Sequence, residues 1–288
     1  MNRWLQLFTR IHIHPVFWIV IAAAIMTARF YELLFLFIIV FFHELGHAVA
    51  AMYYNWRIKQ IFLLPFGGAL ELDEYGNRPM KEEFIVTIAG PLQHIWMVAL
   101  AFFLYQINIL SFKDYSLFLE YNFMILIFNG LPILPLDGGK LMSLALSYFY
   151  PFQQAFKKGI LFSIFFLCVY SLAILLLSPF HISGWVIIVF LIHSLYYDWK
   201  NRTFLFMRFL IEKSTHDKYT YKKVKTLRVQ AKESIQQVVS RFYRGMYHTI
   251  IVFDNGKEIG TIPETQILKR YFENQSHTTG IKDLIYYR

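Results

Sequence analysis

His43-Glu44-Leu45-Gly46-His47 lies inside an apolar run, residues 33–53, that is long enough to cross a bilayer. On a helix, positions four apart stand about 40° apart around the axis, so both imidazoles face one ion and Glu44 lies beside it. That arrangement suits a zinc ion with a general base. Chance alone gives roughly 0.014 occurrences of H-E-x-x-H in a chain of this composition. An ionisable Glu within hydrocarbon costs at least ~2.5 kcal/mol, so its presence there marks a site rather than packing.

The composition agrees with a membrane setting. Hydrophobic residues make up 57% of the 288, aromatic residues 19% and charged residues 16%, too apolar for an ordinary soluble domain. Of the 28 Lys and Arg, 11 fall in residues 1–199, matched there by 11 of the 19 acids. The whole +9 excess therefore belongs to residues 200–288. Beside membrane spans, a basic tail is read as a cytoplasmic face against anionic lipid, with no direct nucleic-acid partner. The lone Cys168 excludes an intrachain disulfide and a cysteine-based zinc site.

Apolar runs predict about six spans, at residues 15–28, 33–53, 84–110, 117–136, 159–177 and 182–197. The first follows Arg3 and Arg10 and lacks a cleavage pattern, so it is read as a retained span rather than a signal peptide. With both termini cytoplasmic, the inner loops hold Arg57, Lys59, Arg78, Lys81, Lys140, Lys157 and Lys158, and the outer loops only Arg29 and Lys113. His43 then lies about ten residues, ~15 Å, into its span, near mid-membrane or slightly cytoplasmic. Residues 61–70, I-F-L-L-P-F-G-G-A-L, are too short to cross and are broken by Pro65, Gly67 and Gly68. They read as a re-entrant β-like segment: either an edge strand that pairs with extended substrate, with Phe66 and Gly67 as contacts, or an interfacial loop. Residues 200–225 read as a linker. Residues 226–288 read as a small α+β module with a helix at 231–243, strands at 249–253 and 258–262 about an Asp254-Asn255-Gly256 turn, and a helix at 264–271.

A catalytic zinc takes three protein ligands and keeps one position open, so a third is needed. Asp137 is the best candidate. It ends N-G-L-P-I-L-P-L-D-G-G, residues 129–139, where two prolines and three glycines interrupt an apolar span and can aim a carboxylate inward. Asp114 and Glu120 are poorer choices at an outer boundary. The implied reaction is amide hydrolysis, in which Glu44 takes the proton of the attacking water and delivers it to the leaving amine. Asn129 either hydrogen-bonds the substrate or the developing oxyanion, or satisfies local backbone as a helix breaker.

H-E-L-G-H in a span, N-x-x-P-x-x-x-L-D-G-G later, and Ala89-Gly90-Pro91-Leu92 between them resemble the site-2 protease family of intramembrane zinc metalloproteases, over about residues 10–200. The resemblance implies His43, His47 and Asp137 as zinc ligands, Glu44 as catalytic acid and base, and Asn129, Pro132 and Pro135 as shapers of the substrate groove. His94 departs from that family's frequent Asn and is read as a packed helix residue, not a further ligand. In the tail, Ile250 to Asp254 with Gly256 and Gly260-Thr261-Ile262 is similar to a single cystathionine-β-synthase-type (CBS) motif. That likeness implies an adenine-nucleotide site for ATP within 226–288, and homo-oligomerisation to cover the apolar face of a lone copy. A compact six-span protease with such a tail resembles the family's endospore-forming branch. The branch implies a membrane-associated pro-sigma-factor substrate, inhibitory membrane partners and a place in the membrane around the forespore. Two other readings stand beside this one: a CAAX-type membrane zincin with a Glu ligand, and a transporter using the same three ligands as a transit site.

Overall fold

The computed structural model describes residues 11–13, 21, 26, 30–64, 67–72, 78–180, 182–215, 223–273, 281 and 282. The chain divides into two compact units, Met1–Leu141 with Phe162–Leu195, and Met142–Leu161 with Tyr196–Arg288. Most of the span expected at 15–28 lies outside the described residues.

In the first unit, the H-E-L-G-H run forms helix α1 (Phe30–Tyr53), because nothing in it interrupts apolar side chains that can satisfy their backbone only internally. It ends where Asn55 takes a left-handed φ of 57°. There Trp56 N–H bonds Ala51 O and Asn55 N–H bonds Met52 O, closing the last turn. The chain then forms strands β2 (Ile58–Leu64) and β3 (Gly67–Leu72), antiparallel to each other, with β1 (Ile11–Ile13) parallel to β2. Among the described residues β3 is an edge of this sheet. The segment read as re-entrant and β-like is thus largely a pair of strands.

Helix α2 (Met80–Gln106) packs closely on α1. Ile39 and Val40 of α1, Met97 and Ala101 of α2, and Phe118 and Ile125 of α3 (Phe112–Asn129) form one core. Two glycines permit the approach. A Cβ on Gly46 would lie 2.5 Å from Ala89 O, and one on Gly90 would lie 2.1 Å from His47 Nε2.

The apolar run at 117–136 is not one helix. It stops at Asn129, turns through residues 130–136, and restarts as α4 (Asp137–Phe149). Pro132 and Pro135 supply no N–H and cannot continue a helix, while Leu134 N–H is taken by Ser163 Oγ. Two of the three glycines let the segment double back, since a Cβ on Gly138 would sit 2.2 Å from Gly130 O and one on Gly139 2.4 Å from Ile133 C.

Helices α5 (Phe152–Leu177) and α6 (Ile182–Thr215) follow. Among the described residues α1, α2, α5 and α6 are long and apolar enough to cross a membrane. Leu172, Leu175, Leu176 and Leu177 of α5 stay exposed, which lipid tolerates and water does not. The protein is an integral membrane protein, largely helical, with small sheets.

In the second unit β4 (Val224–Gln230) runs parallel to β5 (Tyr247–Asp254), which is antiparallel to β6 (Lys257–Pro263). Helices α7 (Ile235–Val239) and α8 (Glu264–Glu273) complete it. The turn between β5 and β6 falls where expected, with Asn255 and Gly256 at φ of 49° and 80°. The helix expected at 231–243 shrinks to α7, opened by a Ser234–Gln237 capping box. Strand β4 begins inside the segment read as linker. Residues 200–215 are the end of α6, where Phe206, Phe209 and Leu210 join Phe152, Ile250, Ile262, Ile267 and Leu268 in the unit's core. Their i, i+3, i+4 spacing is a helical stripe.

A buried charged cluster crosses this core. Lys213 Nζ lies 2.6 Å from Glu264 Oε1, both side chains being at most 2% exposed. Glu264 Oε2 accepts from the backbone N–H of His248 at 2.8 Å and meets its Nδ1. His248 Nε2 accepts the Tyr243 N–H at 3.0 Å, which requires that nitrogen to be bare. Burial accordingly pushes the His248 pKa below its usual 6.5.

Glu264→Ala strands the Lys213 charge and is expected to destabilise this unit by roughly 3–5 kcal/mol, read as lost hydrogen-exchange protection in β5 of the full chain. With a depressed His248 pKa, the unfolded chain binds more protons below about 6.5. Protection in β5 should therefore be full at pH 7.5 and decline as pH falls through about 6.5, and an unchanged or rising protection at pH 5 would contradict the neutral His248.

Candidate metal centre

Three side chains from two helices converge in the first unit. One turn of α1 places His43 and His47 on a common face, and the first residue of α4 brings Asp137 to them. His43 Nε2 and His47 Nε2 are 3.2 Å apart, and Asp137 Oδ2 is 3.1 Å from the first and 3.0 Å from the second. All three residues are at most 4% exposed. Glu44 is buried beside them, and ligand atoms of His43, Glu44 and His47 lie within 4.8 Å of one another.

The donor chemistry calls for a cation. His47 Nδ1 lies 2.7 Å from Val86 O, which can only accept, so Nδ1 carries a hydrogen and Nε2 is the nitrogen left to ligate. That nitrogen faces a carboxylate oxygen at 3.0 Å. One proton can bridge one such pair, but the three atoms His43 Nε2, His47 Nε2 and Asp137 Oδ2 converge mutually, and a metal ion among them meets all three at once. A tetrahedral zinc with bonds of about 2.0–2.2 Å separates its ligand atoms by about 3.3–3.5 Å, so edges of 3.0–3.2 Å fit it after a few tenths of an ångström of relaxation. Only one oxygen of Asp137 is used this way. Its Oδ1 accepts from Lys140 Nζ at 3.2 Å, one helical turn on.

The structure brings together His43, Glu44, His47 and Asp137. Asn129 is buried with its Nδ2 donating to Ile125 O at 3.1 Å, the arrangement of a residue that satisfies its own helix end. Pro132 and Pro135 are half-buried in the segment leading to Asp137. Gly67 opens β3, and Phe66 lies outside the described residues. Asp114 instead closes a cap with Ser111, and Glu120 is exposed.

Sequence reasoning missed the groups around the ligands. Val86 O and Gly90 serve His47, and Lys140 serves Asp137. His94, read as a packing residue, is instead polar in its role: its Nε2 is 3.0 Å from His43 Nδ1 and its Nδ1 is 3.0 Å from Asn122 Oδ1. The available signal was a histidine two residues beyond A-G-P-L, one turn after Gly90, on the helix facing the motif.

A helix-borne pair of imidazoles with a carboxylate between them, a second carboxylate brought to them from an interrupted span, and lipid-facing helices define a membrane-embedded zinc peptidase. The comparisons agree. A family profile described as Peptidase family M50 matches residues 31–114. Stage IV sporulation protein FB of Bacillus subtilis is 41% identical over 285 residues, covering 99% of each chain. A zinc metalloprotease of Methanocaldococcus jannaschii is 32% identical over 145 residues, 48% of this chain and 42% of its own. Among solved structures, the site-2 protease of the same archaeon matches with a TM-score of 0.53 at 25% identity, over 65% of this chain and 89% of that one. The chain belongs to peptidase family M50, the site-2 proteases. It is an intramembrane zinc metalloprotease.

Gly90→Ala drives a methyl group into the His47 ring, so zinc per chain, measured by mass spectrometry on the purified protein, should fall roughly tenfold or more. Parental zinc content in that variant would show that His47 does not need this seat.

Proposed function

We propose that His43, His47 and Asp137 hold one zinc ion, and that Glu44 is the acid and base of peptide-bond hydrolysis. The observation that carries this is the triangle of ligand atoms with 3.0–3.2 Å edges, its His47 corner already committed to an acceptor on the far side. A bound zinc supplies Lewis-acid activation of water and of the scissile carbonyl. Buried Glu44, next in sequence to one ligand, takes the proton of the attacking water and returns it to the leaving amine. Lys140 on Asp137 Oδ1 leaves Oδ2 as the ligating atom. The apolar surroundings exclude bulk water and strengthen each of these interactions.

The substrate we propose is a membrane-associated protein presented in extended form, pairing with the β3 edge near Gly67 and passing a groove shaped by Asn129, Pro132 and Pro135. The sheet order supports the edge, since among the described residues β3 pairs with β2 alone. The full-length likeness to stage IV sporulation protein FB supports a role in sporulation. With it go a pro-sigma-factor substrate, inhibitory membrane partners and a place in the membrane around the forespore. Six spans with both termini cytoplasmic remain our topology, supported by the distribution of Lys and Arg among the loops. The tail is proposed as a CBS-like module for regulation, ATP binding and assembly. Its β-α-β-β-α order supports that reading, whereas its apolar face already packs on Phe206, Phe209 and Leu210, so assembly rests on the resemblance alone.

Glu44→Gln is expected to keep stoichiometric zinc while cleavage of a membrane-associated substrate falls by about 10²-fold or more. Asp137→Ala should lose zinc, and Glu120→Ala should retain both zinc and activity. Cleavage by the Glu44 variant at the parental rate, or full zinc in the Asp137 variant, would overturn the assignment.

A further inference from the structure

We infer that His94 is a positioning residue for the metal centre: held by Asn122, it fixes His43 in the one tautomer that can bind zinc. The inference rests on the ligand assignment above and extends it to two buried residues that touch neither the metal nor the substrate.

His43 Nε2 points at Asp137 Oδ2 and His47 Nε2, so it can ligate a metal only as a bare lone pair. The single ring hydrogen then belongs on Nδ1. Within an apolar helix layer that N–H needs an acceptor, and His94 Nε2 lies 3.0 Å away. To accept there, His94 must carry its own hydrogen on Nδ1, which lies 3.0 Å from Asn122 Oδ1. An amide oxygen ends the relay, because it only accepts. His94 is 1% exposed and Asn122 fully buried, so no bulk water competes for either bond.

The opposite direction is chemically complete and functionally dead. If the Asn122 amide were reversed, its Nδ2 would donate to His94 Nδ1, His94 would donate to His43 Nδ1, and His43 would carry hydrogen on the nitrogen that must ligate. In the structure it is Oδ1 of Asn122 that lies 3.0 Å from His94 Nδ1, the orientation a ligating His43 requires, and Nδ2 has no hydrogen-bond partner among the described residues. Three helices contribute: His43 on α1, His94 on α2 and Asn122 on α3. Helix packing thereby decides a ligand's proton position. The other imidazole reaches the same state by a different route, through a backbone carbonyl.

Two substitutions separate positioning from packing. His94→Phe keeps the ring and loses the acceptor, whereas His94→Gln loses the ring and keeps an amide oxygen near the position of Nε2. Zinc release into excess chelator is followed in the purified full-length protein, alongside the fold by circular dichroism. The Phe variant should release zinc about 10–100-fold faster than the parent, and the Gln variant close to the parental rate. A packing role predicts the reverse order, and either that order or equal release by the two variants overturns the inference. If His94→Phe fails to fold, Asn122→Leu and Asn122→Asp decide by the same readout: a carboxylate still accepts, so fast release from Leu and near-parental release from Asp support the relay, and equal rates refute it. Failure of the ligand assignment itself would show differently, as a parental protein without stoichiometric zinc.

Discussion

Lone pairs that converge inside an apolar helix layer are the constraint on which the first unit depends. His47 Nε2 and Asp137 Oδ2 face each other at 3.0 Å with the outer ring nitrogen of His47 already bound to Val86 O. Such a pair needs positive charge between its lone pairs, and the third corner, His43 Nε2, extends that need beyond what one proton can meet. Much of the local structure serves to hold it. Gly46 and Gly90 let α1 and α2 approach until the His47 ring fits against backbone, and the broken span at 130–136 turns a carboxylate toward a helix that a continuous helix would have passed by.

The unwound segment illustrates how a membrane protein introduces irregular backbone. Several freed groups are met nearby: Leu126 O accepts from Gly130 N–H, Phe128 O from Leu131 N–H, Leu134 N–H goes to Ser163, and two prolines remove N–H groups that would otherwise need partners. Glycines 138 and 139 sit where any side chain would strike the preceding turn. The second unit solves a related problem with charge. Lys213, Glu264 and His248 satisfy one another in a dry core, so removing any member leaves an unpaired polar group.

The motif residues were legible because their chemistry depends on spacing along one helix, which the chain order carries directly. Asp137 was legible because prolines and glycines in an apolar run have few other uses. The supporting groups were not. His94 and Asn122 lie 51 and 79 positions from His43, and nothing in their own neighbourhoods distinguishes a relay from packing. The end of α6 was misread as linker because its charges obscured the stripe Phe206, Phe209, Leu210 and Lys213, whose fourth member is a buried lysine. Strand β4 escaped for a similar reason, as Lys225 and Arg228 sit among its apolar residues.

The amino-acid order by itself determined a membrane protein with a helix-borne histidine pair, a glutamate beside it and a carboxylate in a broken span, since hydropathy and helical period are local properties. Only the tertiary structure decided which nitrogens of those histidines are free to ligate. A tautomer is set by the acceptor on the far side of the ring, and here both acceptors, Val86 O and His94 Nε2, belong to α2, which packing brings within 3.0 Å of the two rings of α1.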